Sequence, residues 1–346
     1  MARKKLISST LLAAVLLITG CREGNGQIFQ TDVFAMDTFM TVKLSGGRGE
    51  ETLVRSKEEL LRLEKLFDVN DEDSDVYRIN HHPGESVSVD KDTAALVQKA
   101  LEYGTMTGGA LDISIYPVVR EWGFTTGSYH IPGSKRLSEL LKQVDYRQIK
   151  VDTETGTVTV PKDVMLDLGA VAKGFAGDRV RDILHKDGVT SGLINLGGNV
   201  AAVGSKPDGS PWRVGIRDPR QEDGTIGTLL VRDQAVITSG TYERYFVGED
   251  GNAYWHILDP KTGFPSDGGL ASVTIVGDNG LMCDALSTAL FVMGKDGAIE
   301  FCRKETSVEV ILIDGDNHVY YTPGLQEKLE LAEGISADLI NRKKQS

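Results

Sequence analysis

Apolar positions recur at helical spacing in two segments near the start of the chain. Leucines fall on one face of Glu50–Phe67 at 3.6 residues per turn, which predicts a helix there. A second helix is predicted over Asp90–Thr107, because Asp90 suits the N-cap and Gly108 follows the last turn. Between them, Asp68–Asp75 is acidic but lacks the central glycine and closing glutamate of a calcium loop, so a solvated loop is predicted.

β-Branched and alternating apolar residues dominate the second half of the chain, which is typical of short strands. The strands predicted there are Leu193–Val203, Trp212–Ile216, Thr228–Thr238, Tyr242–Phe246, Ala253–Leu258, Ser272–Val276, Val308–Ile313 and His318–Tyr321. Earlier strands are predicted on both sides of Ala35-Met36-Asp37, in a hairpin over Lys150–Pro161, and over Val164–Leu168.

Three more helices are predicted over Val171–His185, Leu281–Met293 and Asp296–Arg303, and the polar chain from Glu333 onward is predicted to be frayed. Many strands with helices in groups indicate an α+β layered domain and not a regularly alternating α/β sheet.

The N-terminus is typical of a targeting segment. A cationic start precedes the apolar run Leu6–Ile18, which is shorter than the roughly 20 residues that cross a bilayer. Ile18-Thr19-Gly20-Cys21 then matches a lipobox, which predicts cleavage before Cys21 and attachment of lipid to it. A cleaved secretory signal with an incidental cysteine is the alternative. The predicted organisation is a signal peptide at 1–20, a tether at 21–30, a catalytic domain at 31–335 and a polar tail at 336–346.

The net charge argues against one class of partner, and the cysteine content argues against a disulfide framework. The net charge of −12 makes nucleic acid an unfavourable partner, because phosphate binding needs clustered Lys and Arg. Apart from Cys21, the chain contains Cys283 and Cys302, for which buried thiols are predicted. A single disulfide between them is the alternative in an oxidising compartment.

Two glycine-marked segments suit a nucleotide. In Asp167–Phe175 a strand turns at Gly169 into a helix, which would direct backbone N–H groups and the charge of Lys173 at one spot. A plain helix entry with a surface lysine is the alternative. Asn195–Asn199 contains paired glycines that let a flat ligand approach the backbone, although a simple hairpin turn explains them equally well.

Two further segments suggest proton transfer and metal binding. His256 precedes the rigid turn Asp259–Gly263, and its ordinary pKa suits proton transfer near neutrality, with a turn around a partly buried histidine as the alternative. Asp284 and Thr288 lie four residues apart on one helical face and offer hard oxygen ligands of the kind that Mg²⁺ takes beside substrate phosphates. A helix N-terminal charge is the alternative for Asp284.

Taken together and in this order, these segments resemble the ApbE family, the FAD:protein FMN transferases. The resemblance extends from about Phe34 to Tyr321. Its motifs here are Met36-Asp37-Thr38, Ser74–Asn80, Asp167–Asp178, Asn195–Asn199, Ser239–Arg244, His256–Gly263 and Asp284–Thr288. It implies an ApbE-like layered domain with a mostly antiparallel sheet and flanking helices.

The resemblance also implies a reaction: a threonine of an acceptor protein attacks the FMN phosphorus of FAD and expels AMP. Asp284, Thr288 and the main-chain carbonyl of Ala170 would hold Mg²⁺, Lys173 would stabilise charge, and His256 is the candidate general base. The residues expected to contact FAD are Met36, Asn70, Tyr77, Asp167, Lys173, Gly198, Asn199, Ser239, Gly240, Thr241, His256 and Asp259. The expected partners are FAD, an exported acceptor protein and the membrane that holds the lipid anchor.

Two residues depart from the family pattern. Asp37 stands where the family usually has glycine, and Asn70 stands where it often has an aromatic residue that could stack on FAD. Members that hydrolyse FAD to FMN and AMP are also known, so this activity is an alternative to transfer. A non-catalytic flavin-binding lipoprotein is an alternative of another class, but it would not need the Asp284/Thr288 pair.

The lipobox interpretation predicts the outcome of Cys21→Ser. Without the thiol no lipid can be attached, so the variant should be exported yet remain uncleaved or appear in the soluble fraction. Membrane fractionation and mass spectrometry of the N-terminus measure this. A variant that is processed normally and stays on the membrane would contradict the prediction.

Overall fold

The computed structural model of the protein describes residues 26–342, so the predicted lipobox and Cys21 lie outside the described residues. The helices are α1 (Glu50–Phe67), α2 (Asp75–His81), α3 (Lys91–Met106), α4 (Tyr116–Glu121), α5 (Ser134–Leu140), α6 (Ala172–Lys186) and α7 (Gly280–Cys302). The strands are β1 (Ile28–Ala35), β2 (Thr38–Gly46), β3 (Val87–Ser88), β4 (Lys150–Asp152), β5 (Thr157–Thr159), β6 (Val189–Leu196), β7 (Asn199–Gly204), β8 (Trp212–Arg217), β9 (Thr225–Val231), β10 (Ala235–Gly240), β11 (Tyr245–Val247), β12 (Ala253–Trp255), β13 (Leu270–Gly277), β14 (Glu309–Asp314), β15 (Val319–Tyr321), β16 (Leu329–Leu331) and β17 (Ala337–Leu339).

A nine-stranded sheet organises the described chain. Its strand order is β1-β2-β6-β7-β10-β13-β14-β15-β17, and every neighbouring pair is antiparallel except β15 and β17. Smaller sheets are formed by β16-β9-β8, β3-β5-β4 and β11-β12. The expected α+β class, with a mostly antiparallel sheet and flanking helices, is confirmed.

Alternating side chains of β10 show how the layers stack. Ile237 lies in one hydrophobic cluster with Leu286 and Leu290 of α7, whereas Val236 lies in another cluster with Leu229 of the β16-β9-β8 sheet. Successive side chains of a strand point to opposite faces, so the main sheet is covered by helices on one face and by the small sheet on the other. This arrangement makes three layers.

Several predicted elements are confirmed. The helix over Glu50–Phe67 has those bounds, and α3 begins after Asp90, whose side chain accepts a hydrogen bond from the N–H of Asp92 as an N-cap. The hairpin over Lys150–Pro161 is present as β4 and β5. Cys283 and Cys302 are both buried free thiols, as favoured over a disulfide.

Two predicted strands are each divided by a turn. Leu193–Val203 spans β6 and β7, which are joined where Gly197 and Gly198 adopt φ of 64° and 98°. Thr228–Thr238 spans β9 and β10, which belong to different sheets and are separated near Asp233 with φ of 49°. Positive φ interrupts a strand regardless of the apolar residues on either side.

The two helices predicted over Leu281–Met293 and Asp296–Arg303 are confirmed, since α7 is interrupted between them at Gly294, which has a non-helical φ of 71°.

Two other local predictions need correction. Val164–Leu168 is not a regular strand, since only Met165 forms a bridge, with Ile115. The end of the acidic segment is helical, because Ser74 caps α2 by accepting a hydrogen bond from the N–H of Tyr77.

The prediction of a frayed C-terminal segment is wrong for its described part. β17 pairs with β15 in the main sheet, Ile340 is buried, and Arg342 forms an ion pair with Glu309 at 2.9 Å. Pairing of β17 with β15 orders this segment, although its polar composition gives no sign of a strand. At the other end, β1 begins at Ile28, inside the predicted tether.

Helices α6 and α7 approach each other closely at Gly174. A Cβ placed on Gly174 would lie 2.3 Å from the main-chain oxygen of Gly280 and 2.6 Å from Cβ of Asp284. The absence of a side chain therefore permits the approach that brings the first turns of the two helices together. None of the helices within residues 26–342 has the length and apolar character needed to span a bilayer.

Gly174→Ala should destabilise the protein by about 1–3 kcal/mol, because the added methyl group forces α6 and α7 apart. Gly177→Ala is the matched control, since its added Cβ would lie 3.7 Å from Cδ1 of Leu196, an ordinary contact. Urea unfolding of both variants measures the difference. Equal unfolding midpoints would contradict the close-packing argument.

Candidate functional site

A cavity of about 410 Å³ opens beside the amino-terminal turns of α6 and α7. Its wall combines the β1–β2 turn, the loop after α1, the segment before α6, the end of β10 and the segment around His256. The predicted site residues that line it are Met36, Asn70, Asp167, Ala170, Lys173, Asn199, Ser239, His256, Asp284 and Thr288. Residues far apart in sequence are thus brought to one site.

Five residues expected to contact FAD do not line this cavity: Tyr77, Gly198, Gly240, Thr241 and Asp259. Tyr77 lies on α2, where its ring stacks on that of His81 at 3.7 Å between centroids. The N–H of Thr241 donates to the main-chain oxygen of Ala271, which continues the pairing of β10 with β13. Gly240 is the last residue of β10, in which Thr238 and Ser239 line the cavity.

The other two residues, Asp259 and Gly198, shape turns whose neighbours reach the cavity. Asp259 accepts a hydrogen bond from the N–H of Lys261 at 2.8 Å, and Pro260 lines the wall in its place. Gly197 lines the wall in place of Gly198, whose N–H donates to Oδ1 of Asn195. The sequence motifs therefore identify the segments correctly but not each residue that reaches the cavity.

The turn before α6 brings Lys173 to the cavity. Oδ1 of Asp167 accepts a hydrogen bond from the N–H of Gly169 at 2.6 Å, and the carbonyl of Leu168 accepts from the N–H groups that open the helix. Lys173 follows in the first turn of α6. Burial raises the pKa of Asp167, while the positive charges of Arg244 and Lys173 oppose that rise.

Asp284 is a buried carboxyl group held from two sides. Oδ2 accepts the N–H of Gly174 at 2.8 Å, and Oδ1 accepts Nδ2 of Asn199 at 3.0 Å. Burial raises its pKa, against the positive charge of Lys173 and these two hydrogen bonds. Within residues 26–342 no basic side chain forms an ion pair with it.

The donor set around Asp284 fits a hard divalent cation. A carboxylate offers about four lone-pair directions, so both oxygens retain capacity beyond the two hydrogen bonds. Thr288 lies one turn further along α7, and its Oγ1 is 3.4 Å from Oγ of Ser239. Residues 26–342 contain no cluster of three or more His, Cys, Asp or Glu suited to a metal, so a cation here needs substrate oxygens or water as well, as Mg²⁺ commonly does.

His256 is oriented by the backbone of Arg244. Nδ1 of His256 lies 3.2 Å from the main-chain oxygen of Arg244, which also accepts the backbone N–H of His256 at 3.1 Å. Because a carbonyl oxygen can only accept, this contact assigns the proton to Nδ1 and leaves the lone pair on Nε2. Burial, followed by the charges of Lys173 and Arg244, lowers the pKa of His256 to about 4.

The cavity also contains residues that the sequence did not indicate as site residues. Oε1 of Glu64 accepts the N–H of Met36 at 2.8 Å and so fixes the β1–β2 turn. Arg244 donates to the main-chain oxygen of Phe124 at 3.4 Å and to Oδ2 of Asp37 at 3.2 Å. Asn70, which the family resemblance does predict to contact FAD, is exposed on the rim of the cavity, with Nδ2 at 3.5 Å from the main-chain oxygen of Thr125.

Of these additional cavity residues, only Arg244 and Asp37 could have been recognised from the sequence. Arg244 stands at the end of the Ser239–Arg244 motif, and Asp37 departs from the family pattern, so both could have been proposed. Glu64 and Phe124 could not, because Glu64 is one of several glutamates on α1 and Phe124 lies in a segment without a motif.

Comparison with known proteins is consistent with this geometry. A sequence profile described as "ApbE family" matches residues 36–312. A FAD:protein FMN transferase of Klebsiella pneumoniae (strain 342) is 35% identical over 255 residues, which are 73% of this chain and 78% of that protein. One from Treponema pallidum (strain Nichols) is 30% identical, covering 93% of this chain and 95% of that protein.

Solved structures show the same architecture. The crystal structure of the ApbE protein from Thermotoga maritima superimposes with a TM-score of 0.82 at 33% identity, covering 87% of this chain and 99% of that one. A flavin transferase ApbE from Vibrio cholerae superimposes with a TM-score of 0.79 at 25% identity, again covering 87% and 99%.

We predict that His256 stays neutral well below pH 6.5 and takes up its proton near pH 4. Since its pKa falls on folding, the stability that the neutral ring contributes above pH 6.5 is lost as the pH drops toward 4. Imidazole chemical shifts, assigned with His256→Gln, measure the pKa.

Lys173→Met should raise the His256 pKa by removing a nearby positive charge, whereas Lys261→Met, on the exposed turn, should not. A His256 pKa near 6.5 in the unaltered protein would contradict the prediction.

Proposed function

The chain belongs to the ApbE family, and from this premise we propose that it transfers FMN from FAD to a hydroxyl side chain of an acceptor protein, releasing AMP. One observation carries the proposal. Three groups line the same cavity. They are the buried carboxyl group of Asp284, the imidazole of His256 with its Nε2 lone pair available, and the ammonium group of Lys173 in the first turn of α6. These are the groups that transfer at a diphosphate requires.

We further propose that Asp284 and Thr288, with the main-chain carbonyl of Ala170, hold Mg²⁺ beside the diphosphate. The support is the donor set itself, since all three residues line the cavity and Asp284 is a buried carboxyl group without an ion-pair partner among residues 26–342. When bound, the ion supplies positive charge that stabilises the departing phosphate oxygens. Gly174 and Asn199 keep the carboxylate of Asp284 oriented before substrate arrives.

His256 is proposed as the general base. The acceptor oxygen forms a bond to the FMN phosphorus as the bond from that phosphorus to the AMP oxygen breaks, and the hydroxyl proton moves to Nε2 of His256. The hydrogen bond from Nδ1 to the carbonyl of Arg244 holds the ring in the tautomer that can accept this proton. FAD carries negative charge into the cavity, which opposes the two cations that depress the His256 pKa and so strengthens the base.

Lys173 is proposed to stabilise the diphosphate. It lies in the first turn of α6, so its ammonium group adds to the positive end of the helix dipole. Within residues 26–342 no carboxylate forms an ion pair with it, which leaves its charge available to an anionic ligand. Met36, Asn70 and Asp167 line the remaining wall, where the flavin and adenosine groups are proposed to bind.

The cellular setting is likewise a proposal. The lipobox at Cys21 and the short apolar segment before it support an enzyme anchored by lipid outside the cytoplasm, with an exported acceptor protein. The names of the relatives favour transfer over the two alternatives, FAD hydrolysis and non-catalytic flavin binding.

The decisive experiment incubates the enzyme with FAD, Mg²⁺ and an acceptor protein containing an Asp-Gly-x-(Ser/Thr)-Gly-Ala-(Ser/Thr) target. We expect AMP release together with a mass increase of one FMN on the acceptor. An acceptor in which the target hydroxyl is replaced by alanine is the control. AMP release without a mass increase would instead indicate hydrolysis.

Asp284→Ala should lower the transfer rate by several orders of magnitude and weaken its dependence on Mg²⁺, because the carboxylate ligand is lost. Asp278→Ala removes an exposed carboxylate just before the same helix and should leave the rate near its original value. Initial rates across a Mg²⁺ titration measure both variants. Near-normal rates with an unchanged metal response in Asp284→Ala would contradict the proposed site.

A further inference from the structure

An ion pair joins two walls of the cavity. Asp37 lies in the two-residue turn between β1 and β2, whereas Arg244 lies in the segment after β10, and Nη2 of Arg244 is 3.2 Å from Oδ2 of Asp37. The Asp37 side chain is 77% exposed and that of Arg244 38%, so the pair lies at the opening of the cavity.

The backbone of Asp37 is fixed while its carboxylate is not required for the turn. Met36 and Asp37 have φ of 49° and 59°, the left-handed values of a two-residue hairpin turn, and Glu64 holds the N–H of Met36. Asp and Asn both tolerate this conformation. The carboxylate can therefore be neutralised without altering the hairpin.

Arg244 has a fixed backbone and a weakly held side chain. Its main-chain oxygen accepts two hydrogen bonds from His256, at 3.1 and 3.2 Å. Its guanidinium group has the exposed Asp37 and the main-chain oxygen of Phe124 at 3.4 Å as partners. An ion pair this exposed contributes little free energy, so the side chain can exchange partners without disturbing His256.

We propose that Asp37 competes with the diphosphate of FAD for Arg244, so that the guanidinium group leaves Asp37 and binds phosphate oxygens when FAD enters. This rests on the proposed function, in which the diphosphate binds in this cavity. Two phosphate groups offer more negative charge than one carboxylate, and guanidinium groups bind phosphate oxygens in a bidentate manner.

The competition makes Asp37 a specificity-determining residue. Ligands without phosphate cannot displace the carboxylate, so their affinity should not depend on it. Ligands with a diphosphate must break the ion pair first, and their affinity is lowered by the free energy of that pair. Arg244 is then a second phosphate-binding residue of the cavity, beside Lys173.

The test measures the dissociation constants of FAD and of riboflavin by flavin fluorescence within seconds of mixing, in Mg²⁺ buffer without acceptor. Asp37→Asn should tighten FAD binding by about 1.5- to 5-fold, the range set by an exposed ion pair, and leave riboflavin binding unchanged. The gain should shrink as NaCl is raised. Asp163→Asn is the matched control, since Asp163 is exposed, has φ of 72° and does not line the cavity.

A double-mutant cycle with Arg244→Gln separates competition from direct repulsion between Asp37 and FAD. Competition predicts that Asp37→Asn gives no gain in the Arg244→Gln background, whereas a gain that persists there overturns the proposal. An unchanged FAD affinity in Asp37→Asn, or an equal change for riboflavin, overturns it as well. Failure of the unaltered protein to bind FAD at all would instead refute the proposed function.

Discussion

The close approach of α6 and α7 at Gly174 is the constraint on which the site depends. The same glycine that leaves room for the main-chain oxygen of Gly280 also donates its N–H to Asp284. The packing of α6 against α7 and the orientation of the Asp284 carboxylate therefore both depend on Gly174. A larger side chain at Gly174 would separate the helices and so move the backbone N–H of residue 174 away from the Asp284 carboxylate.

Burial and orientation of the Asp284 carboxylate support the proposed metal site. A buried carboxylate is costly unless it is paired, and here it has two hydrogen bonds and a nearby cation but no ion-pair partner among residues 26–342. In the proposed function, a divalent cation would compensate this charge where a diphosphate can complete the coordination. The β10 residue Ser239 links the site to the main sheet through Ser287 and Thr288 of α7.

Within residues 26–342, Lys173 and Arg244 are the two Lys or Arg side chains among the several carboxyl groups that line the cavity. Their charges act on the same two groups, opposing the rise of the Asp167 pKa and lowering the pKa of His256. In the proposed function, a diphosphate bound near these cations offsets their effect on His256 and so couples substrate binding to its basicity. Asp37 pairs with Arg244 at the opening of the cavity.

The sequence alone determined the elements whose signals are local. Helical leucine spacing gave α1, the Asp90 cap gave the start of α3, and the glycine-marked motifs identified the segments that build the site. The paired glycines of Asn195–Asn199 also indicated the turn between β6 and β7. Local patterns could not show the division at Asp233, nor that β17 joins the main sheet, because strand pairing depends on residues distant in sequence. The polar segment around β17 is ordered by that pairing.

Tertiary structure decided which residues meet. The motifs placed Asp284, Lys173 and His256 among the candidates, but only the packing of α6 and β7 against α7 showed that Gly174 and Asn199 hold the carboxylate. Tyr77 belongs to a matching motif yet lies outside the cavity wall, since α2 directs its ring onto His81. A motif records residue types along the chain, whereas contacts across the site are set by how helices and strands pack against one another.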